Sequence, residues 1–502
     1  MDLSTGVARG LSRRDFLRRG GKAAAGLGLL TQVGWQVGCG GSAHAGLRDL
    51  DSQLSGVLLV PDDPQYALRK LPDNRAYANT HPLAVALCQT AQDVQACVRW
   101  GRENGAPVVA RSGGHSYAGW CTTNGILVDT TAIDYMNIKE SDFSVEIGGG
   151  GLLGPIDDYL TARGITVPAG RCRGVGLAGL ALGGGFGFSC RPFGLTSDNM
   201  IATDVVTADG ELVRASATEN SDLYWACRGG GGGNFGINVG FNMQAYEVRG
   251  LTSTYRIVWD PQDAGLAWES MQAALVSAPD EFALRLGSNV QIDPITSEPT
   301  YSIEAIGQHL GAEEELRQIL EPVINSSDPT FVETGEGTFA EATRYLAEVS
   351  KPVPYVSKSA YLDEPLDAEG IQRVLDGLSQ FPRGAHGADF TVFSWGGAIR
   401  DTAPDATAFV HREADFVVQS IAEWREDGPA EAASQTRAWV DKLYADLNPK
   451  FNGYAYQNFM DRGQENWQQA YYGENFARLV DVKRAWDPDD FFSFAQSIPT
   501  SL

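Results

Sequence analysis

The sequence predicts an α+β fold in two parts: a first half of short strands joined by glycine-rich loops, and a second half built on an antiparallel sheet covered by helices. Three observations predict it. Glycine is abundant, 58 of 502 residues, yet it concentrates in a few runs before residue 250, which gives it local work: tight turns, positive φ, or backbone pressed against a ligand. Short apolar stretches separated by turn signals fill the same region. Beyond it the glycine runs stop and longer alternating segments take over. With 43% apolar and 20% charged residues, the chain has material for more than one buried core.

Residues 1–45 read as a leader. Ser12-Arg13-Arg14-Asp15-Phe16-Leu17 precedes a weakly apolar stretch from Ala23 to Val37 and the small-x-small cleavage pattern Ala43-His44-Ala45. The paired arginines resemble a twin-arginine signal, which implies export of a folded, cofactor-loaded protein to the periplasm or beyond. The apolar part is too short and too rich in glycine for a permanent span. Cys39 offers a lipoprotein reading, against which Gln36-Val37-Gly38 lacks the expected leucine. No later stretch reaches 18 apolar residues, so no stable membrane association is expected. The leader holds six basic and two acidic residues, a net of +4, which leaves −28 on the rest of the chain against a total of −24. Such a surface repels phosphate backbones and anionic lipid, so no nucleic acid partner is expected; solubility alone is sufficient reason for it.

The first unit, taken as 46–248, opens its pattern with a strand at Ala84–Leu87. A helix follows at Ala91–Asn104, with Val94, Cys97 and Val98 on one face and Gly105 as its stop. Further strands are expected at Pro107–Ala110, Gly125–Asp129, Ser144–Ile147 and Met200–Thr207. A second unit, 249–450, alternates in Thr254–Trp259, Phe282–Gln291 and Tyr301–Ile306, with helices at Ala312–Ile324 and Ala368–Gln380. The stretch 260–440 carries no motif. In the closing segment, 451–502, an amphipathic helix is expected at Tyr471–Trp486 through Phe476, Leu479, Val480 and Trp486, stopped by Asp487-Pro488. The seven cysteines (39, 88, 97, 121, 172, 190 and 227) cannot all pair internally, and the pairing among Cys88, Cys97, Cys121, Cys190 and Cys227 stays open. His81, His309, His386 and His411 lack metal-ligand spacing, and no metal is expected.

Three constellations carry chemistry. Arg111-Ser112-Gly113-Gly114-His115-Ser116-Tyr117 follows a strand directly, where consecutive backbone N–H groups suit a pyrophosphate; a plain tight turn is the competing reading. Gly170-Arg171-Cys172-Arg173-Gly174-Val175-Gly176 runs on to Gly179, then to Gly183, Gly184, Gly185, Phe186 and Gly187. Gly174 to Gly179 fits G-x-G-x-x-G, and Asp198 lies at a suitable distance. However, Pro168-Ala169-Gly170 before it and four glycines after it oppose a dinucleotide-binding strand and helix. Arg228 and the five glycines after it lead to Asn234-Phe235-Gly236-Ile237, a loop pressed into the core against a ligand. No Gly-Lys-Ser/Thr follows any run, which excludes a P-loop.

These segments, with Tyr456-Gln457-Asn458-Phe459-Met460-Asp461 and Tyr471-Tyr472-Gly473-Glu474-Asn475 through Phe492, resemble the berberine bridge enzyme-like oxidases of the vanillyl alcohol oxidase/p-cresol methylhydroxylase superfamily. The resemblance covers nearly all of 60–502. It implies a two-part FAD-binding domain over 46–248, a substrate domain over 249–450, and a C-terminal segment returning to the first. It also implies FAD held by two covalent bonds, from His115 to the 8α-methyl and from Cys172 to C6. Around the cofactor it places Arg111, Ser112, Gly113, Gly114, Ser116 and Tyr117 from the first motif, and Val175, Gly176, Gly179, Gly184 and Phe186 from the second. Gly236, Ile237, Tyr456 and Asn458 complete the set.

By the same resemblance the substrate passes a hydride from its carbinol carbon to flavin N5, while Tyr456 takes the hydroxyl proton. That role needs a tyrosine pKa below the usual ~10, helped by a positive partner. Asn458 points the same way if the segment is extended, and Gln419 orients substrate. Val175, a small residue three positions after Cys172, favours oxygen as electron acceptor. The implied activity is an exported oxidase turning CH–OH of an oligosaccharide or other small alcohol into carbonyl or lactone, with peroxide as co-product. A dehydrogenase using another acceptor, a natural-product-tailoring oxidase and a flavin-bearing binding protein are the alternatives. Peroxide yield against dye reduction separates the first, and failure of any alcohol to bleach the flavin would favour the last.

Overall fold

The structure, a computed structural model, describes residues 40–502 apart from 294 and 297; the twin-arginine motif and Cys39 lie outside the described residues. The first helix, α1 (Gly40–Gln53), runs across the cleavage point expected after Ala45. Its Leu47 and Leu50 are buried against Trp100 and Ala106 in one core cluster.

A four-stranded sheet comes next, built from β1 (Val57–Leu59), β2 (Ala84–Leu87), β3 (Val108–Arg111) and β4 (Ile126–Asp129) in the order β1-β2-β4-β3. β2 and β3 both run parallel to β4, the connection from β2 to β3 being α2 (Ala91–Asn104). The bounds of α2 are those the periodicity predicts, because its ends are chemically marked. Thr90 and Asp93 form a reciprocal capping box, and Gly105 closes the helix at φ 61°. Asp93 also accepts from the Ser55 N–H at 2.7 Å, tying the helix to the approach to β1. β3 is an edge strand, and its carboxyl end delivers the first glycine motif, the usual place for a ligand beside parallel strands.

A second sheet, five-stranded, takes β5 (Met136–Lys139), β6 (Ser144–Gly148), β8 (Met200–Val206), β9 (Leu212–Ser216) and β10 (Ile237–Gln244) in the order β5-β6-β10-β8-β9. The short β7 (Ile165–Thr166) and β11 (Tyr246–Glu247) pair beside it. Between β6 and β8 lie α3 (Leu153–Thr161) and the six-residue α4 (Leu177–Leu182). The Gly174–Gly179 motif therefore opens only a single short helix, with no parallel strand before it.

From Leu251 the chain forms a seven-stranded sheet: β12 (Leu251–Trp259), β13 (Phe282–Ile292), β14 (Pro299–His309), β15 (Phe331–Thr338), β16 (Tyr355–Leu362), β17 (Gly387–Ser394) and β18 (Phe416–Glu423). Its order is β15-β12-β14-β13-β17-β18-β16, every pair antiparallel. One face, with Ile257, Leu284, Leu286, Phe390, Val392 and Val418, is buried in the largest apolar cluster. Trp268 from α5 (Ala264–Ser277), Leu320 from α6 (Glu313–Ser327), Val374 from α8 (Ala368–Ser379) and Leu443 from α9 (Ala432–Leu447) cover that face; α7 (Phe339–Leu346) lies between α6 and β16. The strand period of two sends the intervening residues, among them Arg285, Asn289, Thr391, Asp389 and Gln419, to the opposite face.

The helix expected at Tyr471–Trp486 is two helices, α10 (Trp467–Tyr472) and α11 (Phe476–Trp486). Gly473 breaks them at φ 49°, and the Asn475 side chain donates to the carbonyls of Pro404 and Thr407 at 2.7 and 3.2 Å. Amphipathic spacing persists across the break, which is why periodicity alone did not reveal it. Lys483 on α11 binds the Asn234 and Phe492 carbonyls and pairs with Asp487 at 2.7 Å, both side chains fully buried. The C-terminal segment is thereby sewn to the five-glycine loop. Among the described residues no helix is long and apolar enough to cross a membrane.

Candidate active site

A cavity of about 1320 Å³ lies between the two α+β sheets and the open face of the seven-stranded sheet. It exceeds the ~300–1,000 Å³ of an ordinary small-molecule site, so a large cofactor and a substrate fit together. Its floor is made of backbone. The loop 112–114 packs directly against 174–176: a Cβ on Gly113 would collide with the Gly174 carbonyl and the Gly176 N–H, and one on Gly176 with Ser112 Oγ. Ser112 Oγ is buried without a protein partner, a donor awaiting an acceptor such as a phosphate oxygen. Gly179, Gly232 and Gly233 also line the cavity, with room for a ligand around each.

His115 and Cys172 both line this space. The His115 Nε2 lies 3.1 Å from where a Cβ on Gly174 would sit, so the histidine reaches the cysteine's own loop. Burial pulls the His115 imidazole below its usual value, with the Asp73 carboxylate opposing; the ring is neutral near pH 7. Burial pushes the Cys172 thiol up, while a hydrogen bond from the Gly174 backbone works against it. The cysteine loop is locked on both sides. Arg173 pairs with Asp158 of α3 at 2.6 Å, and Arg171 pairs with Glu348 at 2.8 Å.

The other residues singled out in the sequence divide into two groups. Ser112, Gly113, Gly114, Ser116, Tyr117, Val175, Gly176, Phe186, Gly236, Ile237, Tyr456 and Asn458 line the cavity, as does Gln419 on β18. Arg111 lines it too, but its guanidinium turns away to Asp129 at 3.1 Å and to the carbonyls of Arg69 and Leu71; it braces the loop from beneath. Gly184 is not part of the lining. At φ 113° it packs under Phe409 and Tyr456, so it supports the tyrosine and does not face the cofactor space.

Tyr456 is fully buried in an aromatic cluster with Phe186 and Phe459, ring centroids 5.3 and 5.0 Å away. Its hydroxyl oxygen accepts from the Gly185 N–H at 2.9 Å and from Asn458 Nδ2 at 3.0 Å. Asn458 meets it because residues 457–458 form a turn, closed by the Phe459 N–H on the Tyr456 carbonyl at 2.9 Å; the segment is not extended. The expectation of a lowered tyrosine pKa is overturned. Burial raises it, and the two N–H donors only oppose that rise. Gln419 Nε2 donates to the Tyr117 hydroxyl at 3.0 Å and to Ser357 Oγ at 3.4 Å.

The sheet wall holds groups that sequence reasoning missed. Register aligns Gly287, Thr391, Gln419 and Ser359 across four strands, with Asn289, Asp389, Ile421 and Ser357 beside them. Arg285 lies over Gly287, bound to Asp389 and 3.7 Å from Glu304. Burial raises the Asp389 carboxyl, with Arg285 opposing. The alternation in Phe282–Ile292 held the signal, since Arg285 falls out of phase with Leu284 and Leu286. Asp73 and Glu348 sit in irregular segments with no signal at all.

Two family descriptions match the chain, "FAD binding domain" over residues 82–216 and "Berberine and berberine like" over 455–499. The uncharacterised FAD-linked oxidoreductase YgaK of Bacillus subtilis is 31% identical, over 89% of this chain and 98% of that protein. The chain belongs to the berberine bridge enzyme-like family of FAD-linked oxidoreductases. A chitooligosaccharide oxidase of Gibberella zeae is 29% identical over 88% of this chain and 92% of its own length. The solved structure of the BBE-like 1 protein of Physcomitrella patens superposes with a TM-score of 0.83 at 27% identity, covering 91% of this chain and 99% of that one. As a berberine bridge enzyme-like protein, the chain is an FAD-dependent oxidoreductase. The glycine floor and the orphan Ser112 hydroxyl fit a cofactor of this kind. The six described cysteines are free thiols, Cys88 and Cys97 with sulfurs 4.0 Å apart. Among the described residues no group of His, Cys, Asp and Glu is arranged to hold a metal.

Proposed function

We propose that this enzyme is an exported oxidase whose FAD is tethered twice, by His115 and Cys172, and which oxidises a CH–OH group of an oligosaccharide or other small alcohol with oxygen as acceptor. The twin-arginine pattern supports export. The observation that carries the reading is the convergence of His115, Cys172, Tyr456 and Gln419 on one cavity. The parts are an FAD domain at 46–248, a substrate domain at 249–450 and a returning segment at 451–502. FAD, when bound, would supply the two-electron acceptor for the substrate C–H bond, with oxygen as the final acceptor and peroxide as co-product. Tyr456 takes the hydroxyl proton, and the Gly185 N–H and Asn458 Nδ2 hold negative charge on its oxygen. Gln419 and Tyr117 orient the alcohol from the opposite wall, while the apolar ring cluster around Tyr456 keeps water away. Val175 leaves open the approach for oxygen.

Two measurements test this. Acid-precipitated protein is expected to pellet yellow; a colourless pellet under a yellow supernatant ends the tethering. A panel of oligosaccharides and aromatic alcohols, mixed with enzyme under nitrogen, is expected to contain a substrate that bleaches the flavin, with peroxide formed on readmitting air. Bleaching without peroxide would reassign it as a dehydrogenase.

A further inference from the structure

One segment of the second half, residues 346–355, reaches both anchor loops. The Glu348 N–H donates to the Arg171 carbonyl and the Arg173 N–H to the Glu348 carbonyl, each at 3.0 Å, on either side of Cys172. Two residues on, Ser350 Oγ donates to Asp73 Oδ1 at 2.7 Å. The other oxygen of Asp73 lies 3.5 Å from His115 Nδ1, and the Asp73 N–H donates to the carbonyl of Gly114, the residue before His115, at 3.0 Å. The two side chains are only 11% and 17% exposed, so solvent screens their interaction little. Among the described residues no lysine or arginine pairs with Asp73. A mostly buried carboxylate fixed on one side by a serine has the imidazole as its remaining partner.

We propose that Asp73 is the positioning residue for the histidyl bond: its carboxylate holds the His115 ring and stabilises the positive charge that grows on it as the bond forms. The proposal rests on the tethered-flavin reading above. In the bonding step a C–N bond replaces one C–H bond of the flavin 8α-methyl. The C–H hydrogen and the imidazole N–H hydrogen leave as protons, the electron pair remains in the flavin ring, and molecular oxygen removes that pair, with two protons, as hydrogen peroxide. Burial keeps His115 neutral beforehand, so the ring enters as a nucleophile and charge appears only during bonding. At the Cys172 thiol burial acts first and the Asp73 charge comes after that of Glu348, which is paired with Arg171, whereas at the imidazole Asp73 is the first charge to act, from 3.5 Å. The larger dependence on Asp73 is therefore expected at the histidine.

The test separates the two bonds with full-length purified protein. In a Cys172→Ala background flavin is held through His115 alone, and adding Asp73→Asn is expected to lower the covalently bound fraction at least about tenfold, by analogy with the loss when a carboxylate orienting a metal-bound imidazole is removed. Intact mass after acid denaturation and in-gel flavin fluorescence read it. In a His115→Ala background the same Asp73→Asn is expected to leave the cysteinyl flavin and the thermal midpoint unchanged. Equal covalent flavin in Cys172→Ala with and without Asp73→Asn overturns the proposal. Loss of flavin in both backgrounds overturns it too, since Asp73 would then act through the fold. Unsubstituted protein that releases all its flavin in acid removes the tethered reading itself, and this inference with it.

Discussion

The two walls of the cavity are made of different material. The FAD side is largely backbone: Gly113 lies directly on Gly176, and the five-glycine loop is pinned through its carbonyls by Gln457, Tyr472 and, just past it, Lys483 of the C-terminal segment. The sheet side is a set of side chains, Arg285, Asn289, Asp389 and Gln419, standing on strands whose other face is locked into the main core. A backbone wall cannot be adjusted one atom at a time. A Cβ added at Gly113 or Gly176 meets main-chain atoms that have nowhere to move, so that wall serves a constant ligand. The sheet wall presents separate side chains on a backbone fixed from its other face, which suits a variable substrate. Perturbing what supports the first wall is expected to have large, all-or-none effects; perturbing the second is expected to be graded.

The largest effect is expected at Lys483, which props the glycine loop from beneath. Lys483→Met leaves the fully buried Asp487 without its cation, and removing one partner of such a pair typically costs about 3–5 kcal/mol. Denaturant unfolding is expected to show that loss, together with poorer FAD incorporation; a loss near zero would break the claim that this prop holds the wall. A similar magnitude is reached by acid. His411 stacks on Tyr361 at 4.5 Å and is buried, which lowers its pKa to about 3. A depressed folded-state value means stability present above the unfolded ~6.5 and lost as pH falls through about 3, on the order of 5 kcal/mol in all. His411→Gln is expected to flatten that part of the curve between pH 6.5 and 3. An unchanged slope would show that other groups govern acid unfolding.

Tyr456 joins the walls. Its backbone N–H donates to Ser359 Oγ on the sheet at 2.9 Å, while its hydroxyl receives the Gly185 N–H from the FAD side. Tyr456→Phe keeps the ring packing and is expected to slow anaerobic flavin reduction by roughly 10²-fold, the worth of a positioned base. Because burial raises this phenol above its usual ~10, the rate in the unsubstituted enzyme is expected to keep climbing with pH up to 10. In Tyr456→Phe that climb should vanish. A near-normal rate, or a plateau below pH 9, would remove Tyr456 from proton transfer.

The same contrast explains what was legible in the sequence. The backbone wall announces itself, because close main-chain packing forces glycine and glycine runs are visible; His115 and Cys172 stand inside them. Ala91–Asn104 was legible to the residue because Thr90, Asp93 and Gly105 mark its ends. Of the sheet wall only Gln419 was named, and that through the family resemblance; Arg285 and Asp389 come from two other strands, brought beside it by a register no local pattern records. Arg111 and Gly184 show the limit of motifs. Both belong to glycine-rich segments, yet one braces the loop from below and the other supports Tyr456. The break at Gly473 was hidden because both helices present apolar residues to the same core.

The smallest effect is expected on the sheet wall itself. Gln419 Nε2 holds the Tyr117 hydroxyl at 3.0 Å, and Tyr117, its pKa raised by burial, keeps its own proton to donate toward the cavity. Gln419→Leu removes the neutral hydrogen bond to Tyr117, about 1 kcal/mol, together with the longer one to Ser357, and leaves the core face of β18 untouched. The expected result is a KM raised roughly fivefold, with flavin content, unfolding midpoint and the pH dependence of reduction all unchanged. A loss as large as that of Tyr456→Phe would mean the glutamine takes part in the bond-breaking step, and the sheet wall would then be as unforgiving as the glycine floor it faces.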